Sequence, residues 1–247
     1  MNEKVFITGA SSGIGAALAI EYSKRGATLG ISARRSEKLQ DIAQQCKESG
    51  APDVFSYTLD VTNEDNSANT AKEFIAAANG IDIVIANAGV AYSDKISSGE
   101  STQINQVFST NVLGVTNSII PFVPTMKGNL SGKIVIISSI ASFRPIAFHG
   151  GYSASKSAVR MLADSWRMAL KKYKIQITAI CPGFIVSEMT DENKFPMPFL
   201  LETEDAARKM VKAIDNGKKT YILPWQVKMI LYATRWLPTP LYYKIFF

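Results

Sequence analysis

The sequence predicts an α/β fold in which a doubly wound, mostly parallel sheet of seven strands is flanked by helices. Short apolar runs rich in β-branched residues alternate with longer segments of helical periodicity, which is the pattern of such a sheet. No internal repeat or low-complexity linker interrupts the alternation, so we expect a single domain over 1–224. The predicted strands are 3–8, 28–32, 54–58, 82–86, 133–138, 176–181 and 220–222, and the predicted helices are 14–25, 36–48, 64–78, 102–126, 152–173 and 203–215.

Composition excludes several classes of protein. The 247 residues are 47% hydrophobic and 19% charged, which suits one globular domain with a sizeable core. Cys46 and Cys181 are the only cysteines, so no disulfide framework is indicated and a reducing compartment is expected. The chain runs directly into its first predicted strand, which leaves no room for a signal peptide, so we expect a cytoplasmic protein.

The net charge of +6 raises the question of nucleic-acid binding. The Lys and Arg residues are scattered, with no run longer than two, and no interleaved basic and aromatic module is present. We therefore expect no nucleic-acid partner. His149 is the only histidine, so no histidine cluster for a metal is predicted.

A glycine-rich segment follows the first predicted strand. Gly9 allows the chain to turn, and Gly13 and Gly15 lack a Cβ, so a pyrophosphate and a neighbouring strand can approach the backbone closely. The helix predicted over 14–25 would direct its free N–H groups at the phosphates. A glycine-rich turn without a ligand is the alternative. The segment predicts a dinucleotide site formed by Gly9, Ser11, Ser12, Gly13, Ile14 and Gly15.

Tyr152 and Lys156 stand four residues apart and therefore share one face of a helix. A nearby ammonium favours the phenolate and should lower the tyrosine pKa from about 10. Tyr152 could then exchange a proton with an alcohol or a carbonyl, while the Ser139 hydroxyl holds the substrate oxygen. A solvated helix face is the alternative for the Tyr–Lys pair taken alone.

Taken together, these motifs resemble the short-chain dehydrogenase/reductase family, whose members have a Rossmann fold that binds NAD(P). The resemblance runs from about Lys4 to Tyr221 and rests on Thr8–Gly15, Asn87-Ala88-Gly89, Asn111, Ser139, Tyr152-Ser153-Ala154-Ser155-Lys156 and Cys181-Pro182-Gly183. It implies that Tyr152 is the catalytic acid/base and that Ser139 polarises the carbonyl. It also implies that Lys156 binds ribose and lowers the tyrosine pKa, and that Asn111 supports a water-linked proton relay.

The same resemblance assigns the remaining cofactor contacts. Asn87-Ala88-Gly89 would lie beside the adenosine ribose and steady the sheet, and Pro182-Gly183 would border the nicotinamide. Asp60, in Leu59-Asp60-Val61, would bind the adenine amino group. Capping near Thr62 is an alternative role for Asp60 that is compatible with the first.

The end of the second strand indicates which cofactor is preferred. An NAD site usually carries an acidic residue there, but this chain reads Ile31-Ser32-Ala33-Arg34-Arg35-Ser36. The Arg34 guanidinium can make a forked contact with a 2′-phosphate, helped by Ser32, Arg35 and Ser36. We therefore expect NADP(H) to be preferred, with NAD(H) as the alternative. Solvated arginines in a loop would also give this pattern.

The substrate is indicated only by apolar residues. The segment 184–201, where the resemblance places a mobile lid, carries Phe184 and Met189, and Phe143 and His149 lie between Ser139 and Tyr152. With Ser139 and Tyr152 these form the candidate substrate site, unless the apolar side chains pack against the protein instead. We predict an NADPH-dependent oxidoreductase that interconverts an apolar ketone or aldehyde and its alcohol. An NAD-linked hydroxysteroid or lipid alcohol dehydrogenase and a non-catalytic nucleotide-binding sensor or scaffold are the alternatives.

Two helices and the C-terminal tail are expected to contact other surfaces. The resemblance implies that helices 102–126 and 152–173 pack against a partner's copies, giving a homodimer or homotetramer, unless the first is a core helix of a monomer. The tail 225–247 combines seven aromatics and three cations with no acidic residue, and Pro238 and Pro240 prevent one spanning helix. Residues 226–237 have helical periodicity. The tail predicts peripheral membrane contact, or alternatively packing over the substrate pocket or a partner.

Overall fold

The computed structural model describes residues 2–191 and 197–234, apart from the side chains of Met189 and Asp191. All seven predicted strands are present, each within one residue of its predicted ends, and all pair in parallel in the order β3-β2-β1-β4-β5-β6-β7. The order reverses between β1 and β4, and ligands bind at such switch points in open α/β sheets. The strands are β1 Lys4–Thr8, β2 Thr28–Ala33, β3 Val54–Thr58, β4 Ile83–Ala86, β5 Gly132–Ile137, β6 Ile175–Pro182 and β7 Thr220–Leu223.

The helices follow the predicted alternation, with two differences. The segment predicted as one helix over 102–126 is divided by a π-helical stretch at Ser109–Leu113 and a 3-10 turn at Ile120–Phe122. Pro121 and Pro124 lack the backbone N–H that a regular helix needs at these positions. A short helix at Glu188–Asp191 was not predicted. The helices are α1 Gly13–Ser23, α2 Ser36–Glu48, α3 Glu64–Ala77, α4 Thr102–Phe108, α5 Gly114–Ile119, α6 Val123–Gly128, α7 Gly150–Leu170, α8 Glu188–Asp191, α9 Thr203–Asp215 and α10 Trp225–Thr234.

Each face of the sheet has its own hydrophobic core. On one face α1, α2 and α9 cover the strands with buried side chains that include Leu18, Leu39 and Met210. On the other face α3, α5 and α7 contribute Phe74, Ile119 and Val159. Burial on both faces explains why the strands are continuous apolar runs rather than alternating ones.

Among the described residues, one helical stretch, Thr102–Gly128, is long and apolar enough by length and composition to cross a membrane. Within it Val107, Val115, Ile119 and Phe122 are almost fully buried, and the last three belong to the core on one face of the sheet. Packing accounts for these four residues, whereas Phe108, Leu113 and Ile120 of the same stretch are exposed.

The predicted lid begins where β6 ends. A backbone bridge between Ile185 and Leu201 closes this segment, and α8 lies inside it. After β7 the chain forms α10, whose Val227 packs beside Gly183 at the edge of the site. Arg144 donates a hydrogen bond to the carbonyl oxygen of Thr234 at the end of α10. The predicted helix over 226–237 is confirmed up to Thr234, and the rest of the tail lies outside the described residues.

Candidate active site

The switch point opens into a cavity of about 520 Å³ at the carboxyl ends of β1, β4, β5 and β6. Most of the residues predicted to bind cofactor or substrate line this one space, although they come from distant parts of the sequence. They are Gly9, Ser11, Ser12, Gly13, Ile14, Arg34, Asp60, Val61, Asn87, Ala88, Gly89, Ser139, His149, Tyr152, Lys156, Pro182, Gly183 and Phe184.

The glycines of the first loop have two distinct roles. Gly9 and Gly13 have φ values of +68° and +55°, which side-chain-bearing residues rarely adopt, and both line the cavity. Gly15 does not line it. A Cβ at Gly15 would lie 2.4 Å from the Gly9 carbonyl oxygen, so this glycine allows α1 to pack closely on the loop. The loop thus presents bare backbone at the amino end of α1, which fits the phosphates of a dinucleotide.

Asn87 joins the glycine loop to β4. Its side-chain amide donates to the carbonyl oxygens of Thr8 and Gly9, each at 3.0 Å, and its backbone N–H donates to the Thr8 hydroxyl at 3.2 Å. A Cβ at Gly9 would lie 2.7 Å from the Cα of Ala88. The two loops at the switch point are therefore held in close contact, in agreement with the expectation that Asn87-Ala88-Gly89 steadies the sheet.

The proton-transfer candidates meet on the opposite wall of the cavity. The Ser139 side chain lies beside Tyr152, whose pKa it lowers, and its oxygen accepts the backbone N–H of Ala141 at 3.1 Å. That N–H uses only an acceptor position of the Ser139 hydroxyl, so its hydrogen can still be donated to Tyr152 or to a ligand. Ser139 and Tyr152 can thus address the same atom of a ligand.

The predicted lowering of the Tyr152 pKa is wrong for this structure. Burial raises the pKa of Tyr152, and the hydrogen bond with Ser139 offsets only part of that effect. The Lys156 nitrogen lies 5.8 Å from the centre of the Tyr152 ring and donates instead to the carbonyl oxygen of Ile137 at 3.0 Å. Tyr152 is consequently a protonated phenol at neutral pH.

Lys156 is nearly buried, with 4% of the residue exposed. Burial lowers its pKa to about 8, and the neighbouring Cys181 opposes that effect. A Cβ at Gly89 would lie 3.2 Å from the Lys156 nitrogen and 3.1 Å from the Asn111 side-chain oxygen. A side chain at position 89 would therefore crowd the lysine nitrogen and the Asn111 oxygen.

Asn111 lies behind the site rather than in its wall. It sits in the π-helical stretch, is fully buried, and clamps Val90 by accepting its N–H at 2.8 Å and donating to its carbonyl oxygen at 2.9 Å. A further hydrogen bond joins it to the Ser155 hydroxyl at 3.1 Å. Asn111 therefore fixes α7 to the loop after β4, and its part in a proton relay stays a prediction.

The two arginines that follow β2 make different contacts at the adenosine end of the cavity. Arg34 lies near Asp60. Burial alone would raise the pKa of Asp60, but hydrogen bonds from Thr62 and the charge of Arg34 lower this pKa. Asp60 accepts both the N–H and the hydroxyl of Thr62 in the turn before α3, and it also lines the cavity. Asn63, not Asp60, is the N-cap of α3.

Arg35, rather than Arg34, reaches the glycine loop. Its guanidinium donates to the hydroxyls of Ser11 and Ser12, at 3.1 and 2.7 Å from Nη2. It also pairs with Glu188 of α8, a residue that sequence reasoning missed. Ser32 is fully buried, and this side chain therefore does not face the ligand as predicted.

The substrate end differs from prediction at one aromatic residue. Phe143 does not line the cavity, because its ring lies under the guanidinium of Arg160, 4.4 Å from ring centre to Cζ. Ile140 and Ile146 take that place in the lining, next to His149 and Phe184. The side chain of Met189 lies outside the described residues. The described substrate end is therefore apolar apart from Ser139, Tyr152 and His149.

Comparisons with known proteins agree with this geometry. A model of the short chain dehydrogenase family matches residues 3–196. The chain is 36% identical to an uncharacterized oxidoreductase of Myxococcus xanthus, covering 96% of this chain and 93% of that protein. It is 33% identical to 11-beta-hydroxysteroid dehydrogenase-like 2 of Arabidopsis thaliana, covering 92% and 75%.

A solved structure gives the same result for the fold. The alcohol dehydrogenase of Thermococcus sibiricus, complexed with 5-hydroxy-NADP, superposes with a TM-score of 0.80 at 25% identity, covering 90% of this chain and 96% of that one. The fold, the glycine loop and the Ser139–Tyr152–Lys156 arrangement meet in one cavity in this protein. The chain therefore belongs to the short-chain dehydrogenase/reductase family of oxidoreductases, which use a nicotinamide dinucleotide.

Proposed function

We propose that this protein is an NADPH-dependent reductase that converts an apolar ketone or aldehyde to its alcohol, and that it also catalyses the reverse reaction. The observation that carries the proposal is the placement of Tyr152 beside Ser139 in a cavity that also contains the glycine loop. Because burial keeps Tyr152 protonated, the site is prepared to give a proton to a carbonyl oxygen.

The cofactor would lie along the cavity from the adenosine end to the Tyr152 wall. The glycine loop and the amino end of α1 would hold its pyrophosphate, and Lys156 its nicotinamide ribose. Pro182 and Gly183 border the space where the nicotinamide would lie. When bound, the reduced nicotinamide supplies a hydride.

The chain's own residues would complete the reaction at the substrate oxygen. Ser139 donates a hydrogen bond that holds and polarises the carbonyl, and Tyr152 delivers its phenolic proton to the same oxygen as negative charge develops. Phe184 and Ile185, at the start of the lid, exclude water from the reacting atoms.

NADP(H) is the proposed cofactor because two arginines, and no acidic residue, directly follow β2. Arg35 donates to the Ser11 and Ser12 hydroxyls, Lys38 meets Arg35 at the Glu188 carboxylate, and Arg34 lines the cavity near Asp60. Such donors bind a 2′-phosphate, whereas an acidic residue would bind the free ribose hydroxyls.

The second candidate is a dehydrogenase of steroid or lipid alcohols. It is favoured by the apolar substrate end, with Ile140, Ile146 and Phe184, and by the similarity to the 11-beta-hydroxysteroid dehydrogenase-like protein. A panel of ketones, aldehydes and alcohols, assayed with NADPH, NADH and their oxidised forms, tests the proposal. We expect the highest kcat/KM for an apolar carbonyl with NADPH. Turnover confined to sterols or lipid alcohols with NAD would favour the second candidate, and cofactor binding without turnover would favour a sensor or scaffold.

A further inference from the structure

The carboxylate of Glu188 occupies a cluster of donors at the adenosine end of the cavity. One oxygen lies 2.7 Å from Nη1 of Arg35 and 3.1 Å from the Ser12 hydroxyl, and the other lies 2.5 Å from the Lys38 ammonium. Glu188 belongs to α8, within the lid, some 150 residues along the chain from Lys38. The lid is therefore attached to the glycine loop and to α2 by one acidic side chain.

A second contact shows how closely the lid approaches the glycine loop. A Cβ at Gly13 would lie 3.3 Å from the Cβ of Ser187, the residue before Glu188. Ser12, Arg35, Ser187 and Glu188 all line the same cavity as the predicted cofactor contacts. The carboxylate thus lies inside the cofactor site and not on a remote surface.

The donors around Glu188 are those that a phosphate group would require. A guanidinium, an ammonium and a hydroxyl converge on one point, and both carboxylates and phosphates accept charge-assisted hydrogen bonds from such groups. We propose that Glu188 is a specificity-determining residue whose carboxylate competes with the 2′-phosphate of NADP(H) for Arg35, Lys38 and Ser12. This inference rests on the proposed use of NADP(H).

Glu188 and a phosphate would compete because all three nitrogens of the Arg35 guanidinium already donate hydrogen bonds. Nε and Nη2 of Arg35 donate to Ser11 and Ser12, and Nη1 donates to Glu188. A phosphate placed beside an ionised carboxylate would also be repelled by it. A cofactor with a 2′-phosphate must therefore displace Glu188 and release the start of the lid, whereas one without that phosphate leaves the contact in place.

The cost of this competition is small because the groups are accessible to solvent. The side chains of Arg35, Lys38 and Glu188 are 46%, 52% and 48% exposed, and ion pairs at such positions are weak. Removing the charge of Glu188 should therefore tighten binding of a 2′-phosphate by about three- to tenfold.

Calorimetric titration with adenosine 2′,5′-bisphosphate and with ADP tests this in the full-length protein, because only the first carries a 2′-phosphate. We expect the unmodified protein to bind the bisphosphate more tightly than ADP. Glu188→Gln should tighten the bisphosphate by about three- to tenfold and change ADP by less than about twofold. Glu37→Gln is the matched control, because it also removes one negative charge and lies in α2 beside Lys38. This variant should change the affinity for neither ligand.

Hydrogen exchange gives a second readout that does not depend on turnover. The Ser187 and Thr190 amides are hydrogen-bonded within the lid, to the Thr190 hydroxyl and the Ser187 carbonyl oxygen respectively. In the unmodified protein, the bisphosphate should speed hydrogen exchange of segment 184–191, whereas ADP should not. Without ligand, this segment should exchange faster in Glu188→Gln than in the unmodified protein.

The outcomes separate this inference from the proposed function. If the bisphosphate is preferred but Glu188→Gln binds it no more tightly than the unmodified protein does, the competition is wrong and the NADP(H) proposal stands. If neither protein distinguishes the bisphosphate from ADP, both proposals are overturned.

Discussion

The ammonium of Lys156 donates a hydrogen bond to the carbonyl oxygen of Ile137 at 3.0 Å, at the end of β5. This contact keeps the lysine inside the protein with 4% of its surface exposed, and burial lowers its pKa to about 8. A charged group with that pKa next to Tyr152 makes both the activity and the stability of the protein depend on pH.

The first prediction concerns the pH dependence of reduction. Lys156 is charged below pH about 8 and loses its proton above it, while Tyr152, whose pKa is raised, stays protonated through that range. We expect kcat/KM for NADPH to be level at lower pH and to fall as pH rises through about 8. In Lys156→Arg, which keeps its charge, the residual activity should not fall there. A level profile for the unmodified enzyme up to pH about 10 would contradict the assignment.

The second prediction concerns stability. Because the folded-state pKa of Lys156 lies below its unfolded value, burying the charge destabilises the protein fully below pH about 8, and that cost fades as pH rises towards the unfolded value. Lys156→Met should raise the free energy of unfolding at pH 7 by roughly 1–3 kcal/mol while abolishing activity, with a smaller gain at pH about 10. Urea denaturation measures this, and the exposed Lys47→Met is the control. A less stable Lys156→Met protein at pH 7 would contradict it.

The third prediction concerns cofactor choice. A hydrogen bond to a charged group contributes about 1.5–3 kcal/mol, so NADPH should bind roughly ten- to a hundredfold more tightly than NADH. Since Arg35 contacts Ser11 and Ser12, Arg35→Ala should lose more of this preference than Arg34→Ala. Combining Arg34→Ala with Ala33→Asp should erase or reverse it. Fluorescence titrations showing tighter NADH binding to the unmodified protein would refute the preference.

The fourth prediction concerns assembly. The helical segments 102–113 and α7 are in contact and both carry exposed apolar side chains, among them Leu113 and Met161 at 58% and 64% exposure. We expect a homodimer or homotetramer that contains this surface. Leu113→Lys with Met161→Lys should lower the mass measured by light scattering, whereas Leu130→Lys, at an exposed residue elsewhere, should not. A monomer mass for the unmodified protein at micromolar concentration would overturn the prediction.

The fifth prediction concerns α10. Val227 and Thr234 on one face are buried, as the packing alternative requires, but Trp225, Met229 and Tyr232 are exposed beside Lys228. An exposed aromatic face with a cation suits a membrane interface. We expect binding to anionic vesicles at low salt, reduced by replacing Trp225, Met229 and Tyr232 together with serine. If the full-length protein does not sediment with the vesicles, α10 has a structural role only.

The sequence predicted the sheet and most of the site for a simple physical reason. Parallel strands buried on both faces are continuous apolar runs, and the chemistry-bearing residues stand at their carboxyl ends, as Gly9 and Asn87 do after β1 and β4. A sequence motif does not show how deeply a titratable side chain is buried or which groups surround it. The predicted direction of the Tyr152 pKa shift was wrong because burial raises this pKa. The ammonium of Lys156 donates its hydrogen bond to the carbonyl oxygen of Ile137 instead.

Contacts between distant segments were also beyond sequence reasoning. Phe143 follows Ser139 by four residues in the sequence, but its ring packs against the guanidinium of Arg160 in α7. The contact between Glu188 and Lys38 spans 150 residues, and no local pattern indicates it. Both depend on how the lid and α7 pack, which only the folded chain defines.

Replacement of Tyr152 by phenylalanine tests the central claim most directly, because it removes one oxygen atom and keeps the ring. The variant should bind NADPH within about twofold of the unmodified protein, as measured by fluorescence titration. Its kcat for the best carbonyl substrate should fall by about 10²- to 10⁴-fold, because the phenol supplies the proton. Near-normal turnover by Tyr152→Phe would contradict the account.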